Sequence, residues 1–332
     1  MGRKKKEVEQ EKSQISGLTL ARQSLEKEYP GAIFTGNSGS SLNIERFSSQ
    51  SVGIDRALGG GWPRARHVEL LGMEGSGKTT VALHAVAEVQ KLGENALYVD
   101  MEHALEPIYA TTIGVDWDNL LISQPDCGED ALNILETVIR SNEISLAVVD
   151  SVAALVPRQE LEKQMGESNM GKHAMLMSQA MRKLTGIIHK VGCTIIWINQ
   201  IRQKVGVVWG NPEVTTGGLG LKFYSTVRVD IRRIGLNKNG TDIVGNRTKI
   251  KVVKNKVYPP FREHEFDITY GQGIDKIADL LDTGVGMEII TKSGASYKMD
   301  EEALGYGRDK TIELLRSDPA KCEEIYQRIV CP

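Results

Sequence analysis

Apolar positions along the chain show two textures, and the change comes near residue 53. Before it, Val8, Ile15, Leu18, Leu20 and Leu25 recur roughly on one face of a segment otherwise rich in Glu, Gln, Lys and Arg. That spacing predicts a helix over 7–29, stopped by Pro30-Gly31. A lone helix cannot bury its own stripe, so this one needs a partner surface. Residues 36–52 are rich in Gly, Ser and Asn and read as a linker. Beyond it, His67–Leu71, Ala96–Asp100, Leu146–Asp150 and Thr194–Asn199 are short apolar runs that read as strands. Segments beginning at Lys78 and Gly171 read as helices. Buried strands alternating with helices predict an α/β fold with a mainly parallel sheet covered on both faces. From Thr226 to Phe266 the pattern becomes antiparallel, with strands at Val227–Ile234, Thr248–Lys254 and Glu263–Thr269 and turns at Asn237–Gly240 and Tyr258–Pro260. After Gly271-Gln272-Gly273 a helix, a short strand and a helix predict a small C-terminal α/β domain. The expected organisation is an N-terminal helix within 1–35, a linker at 36–52, a core over 53–273 and a small domain over 274–332.

Composition adds limits. The 332 residues are 40% hydrophobic and 25% charged, as in ordinary globular proteins. A net charge of −2 gives no overall attraction to nucleic acid, so any such role rests on local basic patches. The four cysteines lack C-x-x-C spacing and read as reduced thiols of a cytoplasmic protein. No stretch approaches the about 20 apolar residues of a membrane span. The basic start Met1-Gly2-Arg3-Lys4-Lys5-Lys6 is not followed by the apolar region of a secretory signal.

Chemistry concentrates where apolar strands end. Between the strand His67–Leu71 and the next helix lies Gly72-Met73-Glu74-Gly75-Ser76-Gly77-Lys78-Thr79, the G-x-x-x-x-G-K-T phosphate loop in the strand-to-helix setting it requires. Its glycines let backbone N–H groups turn toward phosphates, Lys78 supplies charge to the β/γ oxygens, and Thr79 offers a hydroxyl to Mg²⁺. ATP and Mg²⁺ are the expected cofactors, with Thr80 continuing the contact set. Leu146-Ala147-Val148-Val149-Asp150 delivers a carboxylate to the sheet edge, where Asp150 is placed to hold Mg²⁺. Asp100 and Glu102 follow another strand end, and Glu102 is preferred as the base that aligns and deprotonates water. Asp100 either contacts the nucleotide or only caps the next helix. Thr194–Asn199 leads into Gln200, an amide suited to sensing a γ-phosphate. The following stretch, Ile201–Gly218, lacks a steady apolar period and reads as a long mobile functional loop carrying Arg202 and Lys204.

Together these residues resemble the RecA recombinases from about Leu58 to Gly273. The most specific strings are Glu102 to Tyr109, Val149 to Leu155, Met177 to Lys183, Ile198 to Arg202, Gly210 to Glu213, Leu221 to Tyr224, Val229 to Gly235 and Val252 to Lys256. The resemblance implies a RecA-type ATPase core with an antiparallel extension. It also implies a helical self-assembled filament on single-stranded DNA, pairing and exchange with double-stranded DNA, and ATP held between neighbouring protomers. By the same match Tyr109 stacks on adenine, Glu106 and Tyr270 lie near the nucleotide, and Lys254 and Lys256 reach ATP from the next subunit. Lys222 and Phe223 match a subunit interface. DNA contacts are implied for Met170, Ser178, Arg182, Arg202, Gln203, Lys204, Val205, Trp209, Thr215, Thr216, Gly217 and Gly218. Departures include Met73 in the phosphate loop, Met175 where an Arg is common, and Leu219-Gly220 after the double glycine. A hexameric motor on the same core, or a filament protein that uses ATP only as an assembly switch, remains the alternative; Glu102 opposes the second.

Overall fold

The computed structural model describes residues 17–30, 32–33, 44–164, 171–204, 210 and 212–331. The chain divides near residue 44 into two units. The first contains the helix Gly17–Glu28, the described part of the helix expected over 7–29, and none of its residues is buried.

The second unit is built on strands β1 (Arg46–Phe47), β2 (Trp62–Pro63), β3 (His67–Gly72), β4 (Asn95–Asp100), β5 (Leu121–Ser123), β6 (Ile144–Asp150), β7 (Thr194–Gln203), β8 (Glu213–Thr215), β9 (Val227–Asn239), β10 (Asp242–Asn255), β11 (Glu263–Thr269) and β12 (Gly273–Ile274). The large sheet runs β12-β11-β10-β9-β3-β7-β6-β4-β5, with β8 attached to β7. From β9 to β5 all pairings are parallel. Strands β10 to β12 add the antiparallel extension. The central strands are apolar throughout because both faces are covered. Ile196 and Ile198 of β7 join Val68, Leu70 and the helix Lys78–Lys91 on one face. Ile195 and Trp197 join Leu97, Val149 and the helices Gly128–Arg140 and Lys172–Val191 on the other. A parallel arrangement puts every strand's C-terminal end on one edge, and there Gly72, Asp100, Asp150 and Gln200 assemble.

Two expectations need correction. The second half of the stretch read as a linker is folded: β1 pairs with β2, and Ser49 and Ser51 are buried. These serines are structural. Ser49 donates its backbone N–H to Asp55 at 2.7 Å, and the Ser51 side chain accepts from Ile54 to cap the helix Val52–Leu58. The region Ile201–Gly218 is also more regular than expected. Strand β7 continues to Gln203 and forms a ribbon with β8 in the register Ile201 to Thr215 and Gln203 to Glu213. Only Ile201 of β7's outer three residues is buried, so no apolar period marks the ribbon. Met170, Val205 and Trp209 lie outside the described residues.

The small C-terminal domain packs the helices Lys276–Gly286, Arg308–Ser317 and Pro319–Val330 with β13 (Ile290–Ser293), β14 (Ser296–Met299) and β15 (Glu302–Tyr306). It has its own core around Leu281, Ile290, Leu315 and Ile325. Its sheet has three strands where one was expected, because the strands are short and their outward residues polar. No helix among the described residues is long and apolar enough to cross a membrane.

Candidate active site

The phosphate loop is fixed by glycines for three separate reasons. A Cβ at Gly72 would lie 2.3 Å from the Ile231 carbonyl oxygen of the neighbouring strand. At Gly77 (φ +95°) it would lie 2.4 Å from Ile268 Cδ1, and Gly75 has φ +66°. Lys78 Nζ folds over the loop and donates to the carbonyls of Gly72 (3.2 Å) and Met73 (2.8 Å). Burial lowers its pKa, while Asp150, Glu102 and the exposed Glu74 act in the opposite direction. The buried Ser76 hydroxyl has no hydrogen-bond partner among the described residues, a group that a phosphate oxygen would satisfy.

Asp150 ends β6 directly behind the loop. Its Oδ2 accepts from Thr79 Oγ1 and from the Tyr98 hydroxyl, both at 2.8 Å. Burial raises its pKa, and these two hydrogen bonds oppose the shift. A hydroxyl and a carboxylate side by side at a phosphate loop are hard oxygen donors, the set a Mg²⁺ ion shared with phosphate takes. Tyr98 escapes sequence reading because it lies inside an apolar strand and looks like core.

Glu102 and Gln200 meet. Glu102 Oε1 accepts from Gln200 Nε2 at 3.0 Å and from the Ser151 hydroxyl. Ser151 lies inside the string Val149 to Leu155, next to Asp150, but nothing in that string singles out its hydroxyl. Asp100 has a different task. Its buried carboxylate accepts from the backbone N–H groups of Glu102 (3.2 Å), Ala104 (3.4 Å) and Leu105 (3.2 Å) and from Gln124 Nε2 (3.0 Å). It therefore holds the turn that presents Glu102, while the next helix, Pro107–Ile113, is capped by Glu106 and not by Asp100.

A cleft of about 530 Å³ beside the loop is lined by Gly75–Thr80, Glu106, Tyr109, Asn246, Ile268, Tyr270 and Gly271. Glu106 caps the helix Pro107–Ile113, accepting from Ile108 and Tyr109 N–H groups. Tyr109 and Thr80 share a hydroxyl hydrogen bond of 2.7 Å. Tyr270 donates to Asn246 Oδ1 at 2.8 Å, and Asn246 Nδ2 lies 3.5 Å from the Gly75 carbonyl. Asn246 was missed because a single Asn in a polar strand carries no signal.

The other expected residues lie elsewhere. Lys254 pairs in register with Arg228, and Arg228 with Glu69, so it sits near the end of the strands opposite the phosphate loop. Its Nζ donates to the carbonyls of Lys222 (2.8 Å) and Phe223 (3.0 Å), at the end of the helix Gly218–Tyr224. Burial, with Lys256 and Arg228 nearby, pushes its pKa down to about 8. Lys256, Lys222 and Phe223 are exposed on the same side. Arg182, Arg202, Gln203 and Lys204 are exposed, and Thr215 is half-buried on β8. Gly217 and Gly218, at φ +81° and +71°, turn the chain into the helix that follows. A Cβ at Gly218 would lie 2.6 Å from Ala174 Cβ and one at Gly220 2.8 Å from Ser178 Oγ. Ser178 is thus in a close helix contact.

The match to the RecA N-terminal domain spans residues 16–275, and the match to the RecA C-terminal domain spans 278–331. The chain belongs to the RecA family. The RecA protein of Acidiphilium cryptum is 56% identical over 295 residues, 89% of this chain and 86% of that protein. The RecA protein of Arthrospira platensis is 51% identical over 329 residues, 99% and 89% of the two chains. That of Chloroherpeton thalassium is 52% identical over 317 residues, 95% and 89% of the two. RecA-family proteins bind ATP and are DNA-dependent ATPases, and this chain is one of them.

Proposed function

We infer that this ATP-dependent DNA recombinase works as a helical filament on single-stranded DNA, exchanging strands with a homologous duplex and hydrolysing ATP between neighbouring subunits. The observation that carries the reading is the Gln200–Glu102 hydrogen bond. Gln200 stands on β7, which continues directly into the ribbon at the base of the Ile201–Gly218 segment. A change at that segment on DNA binding is therefore transmitted along one strand to the carboxylate that addresses water.

In this reading Glu102 aligns the water and accepts its proton, and Ser151 and Gln200 fix its oxygen. Lys78 releases the loop carbonyls to meet the phosphates. Thr79 and Asp150 would hold Mg²⁺, which supplies charge neutralisation at the phosphates. Tyr109, Tyr270, Glu106 and Asn246 surround the rest of the nucleotide. Lys254 and Lys256, remote from their own phosphate loop, complete a neighbour's site and tie hydrolysis to assembly. Arg182, Arg202 and the loop glycines contact the DNA backbone. The working compartment is the cytoplasm.

The test is an ATPase titration with single- and double-stranded DNA, followed by electron microscopy of the products. Turnover should rise strongly with single-stranded DNA, and helical filaments should form. Equal turnover with and without DNA, or closed rings, would overturn the proposal.

A further inference from the structure

Glu69 is a buried carboxylate that the nucleotide chemistry leaves unused. It sits in the middle of β3, fully shielded from solvent, between Trp197 of β7 and Arg228 of β9 in the sheet register. Its two oxygens hold different partners. Oε2 accepts from Arg228 Nε at 2.5 Å. Oε1 accepts from Asn199 Nδ2 at 2.8 Å. Asn199 is itself buried and fully engaged: Nδ2 also reaches the Thr216 carbonyl (3.1 Å), and Oδ1 accepts from Thr216 Oγ1 (2.5 Å). Thr216 closes the β7–β8 ribbon, and Asn199 immediately precedes Gln200. On the other side, Arg228 is the register partner of Lys254, which grips the end of the helix that starts two residues after Thr216.

A buried ion pair seldom adds net stability over an apolar replacement, so its retention here needs a positional reason. We propose that Glu69 is a positioning residue that clamps the base of the Ile201–Gly218 segment to the Lys254 surface, so that DNA engagement and the intersubunit lysines move together. The proposal rests on the functional reading above. The links are side-chain hydrogen bonds between residues far apart in sequence, and each has one donor and one acceptor that a single substitution removes. Thr216 fixes where the segment ends, Asn199 fixes the backbone next to Gln200, and Arg228 fixes the strand that carries the lysine pair. Breaking the centre should uncouple the two ends while leaving the phosphate loop, three residues further along β3, in place.

The experiment compares wild type with Glu69→Gln for turnover without DNA, turnover at saturating single-stranded DNA, and DNA affinity by fluorescence anisotropy. The amide can still accept from Asn199 but no longer balances Arg228. The expected result is DNA-free turnover close to wild type and a DNA-stimulated increment reduced by about tenfold, with DNA affinity changed far less. If Glu69→Gln does not fold, Glu69→Gln/Arg228→Gln removes the uncompensated charge and is read by the same measurements. A stimulated increment within about twofold of wild type overturns the proposal, as does an equal loss of both turnovers, which marks a merely structural role. A wild type that DNA does not stimulate overturns the functional reading and the clamp with it; a stimulated wild type beside an equally stimulated variant overturns the clamp alone.

Discussion

In the proposed mechanism, replacing Glu102 with Gln removes the proton acceptor and little else. Glu102 is exposed at the mouth of the site, and Oε1 alone receives the hydrogen bonds from Ser151 and Gln200. The amide oxygen of Gln takes over that position, so the side chain keeps its orientation. Lys78 loses one of the carboxylates that support its charge, but Asp150, the larger influence, remains. What disappears is general-base catalysis, typically a factor of about 10² to 10⁴. At 1.36 kcal/mol per decade this raises the barrier by roughly 3–5 kcal/mol. The assay is phosphate release at saturating ATP and single-stranded DNA, beside fluorescent-nucleotide binding and microscopy of filaments. Turnover should collapse while nucleotide binding and filaments persist. Gln200→Ala should cost less, because Ser151 still holds Glu102. Turnover of Glu102→Gln within about threefold of wild type, with binding unchanged, would refute the assignment.

Lys254, pushed down to about 8 in the single subunit, should give filament assembly, and the turnover that depends on it, an alkaline limit. A base with a depressed value loses its charge as pH rises through that value, so the lysine is about nine-tenths charged at pH 7 and one-tenth at pH 9. Lys254→Arg should move the limit upward, and an active Arg variant with an unmoved alkaline limb would sink the role. Acid should destabilise the fold, because burial pushes His67 and His84 each down to about 3. Between 3 and the ordinary 6.5 the unfolded chain binds more protons, so this stability is complete above about 6.5 and falls as pH drops. Asp55, raised to about 6 by burial, acts in the opposite sense over a narrower range and offsets part of the effect. Urea midpoints from pH 7 to pH 4 should fall, and flat or rising midpoints would contradict the burial of these imidazoles.

Features whose chemistry is contained in a few consecutive residues were readable from sequence. The phosphate loop states its strand, its turn and its helix within one short string, and the apolar runs that end in Asp150 and Gln200 announce buried strands and their edge. The outer hairpin was only half readable. The run Val227–Ile234 ends three residues past the last buried position, Ile231, while the hydrogen-bond ladder of β9 and β10 continues to Asn239 and Asp242. Past Ile231 no apolar core rewards the alternation, so Ile234, Leu236 and Ile243 stand exposed on a ribbon that backbone pairing sustains.

Asp100 and Asp150 show where local reading reaches its end. Each closes an apolar strand, and the two are direct register partners at the same sheet edge. By pattern they are equivalent. What separates them is the course of the chain beyond. After Asp100 it turns back, presenting the N–H groups of Glu102, Ala104 and Leu105 to the carboxylate, which holds the turn. After Asp150 it leaves through Ser151, and that carboxylate meets Thr79 and Tyr98 instead. The lysine pair presents the same difficulty at larger scale. Lys254 lies level with Glu69, three residues or roughly 10 Å short of Gly72 along the strands and two strands across. Its Nζ points at carbonyls on that far side. A cation so placed cannot serve the phosphate loop of its own chain, and the geometry that denies it that role is what makes a second subunit necessary to the proposed mechanism.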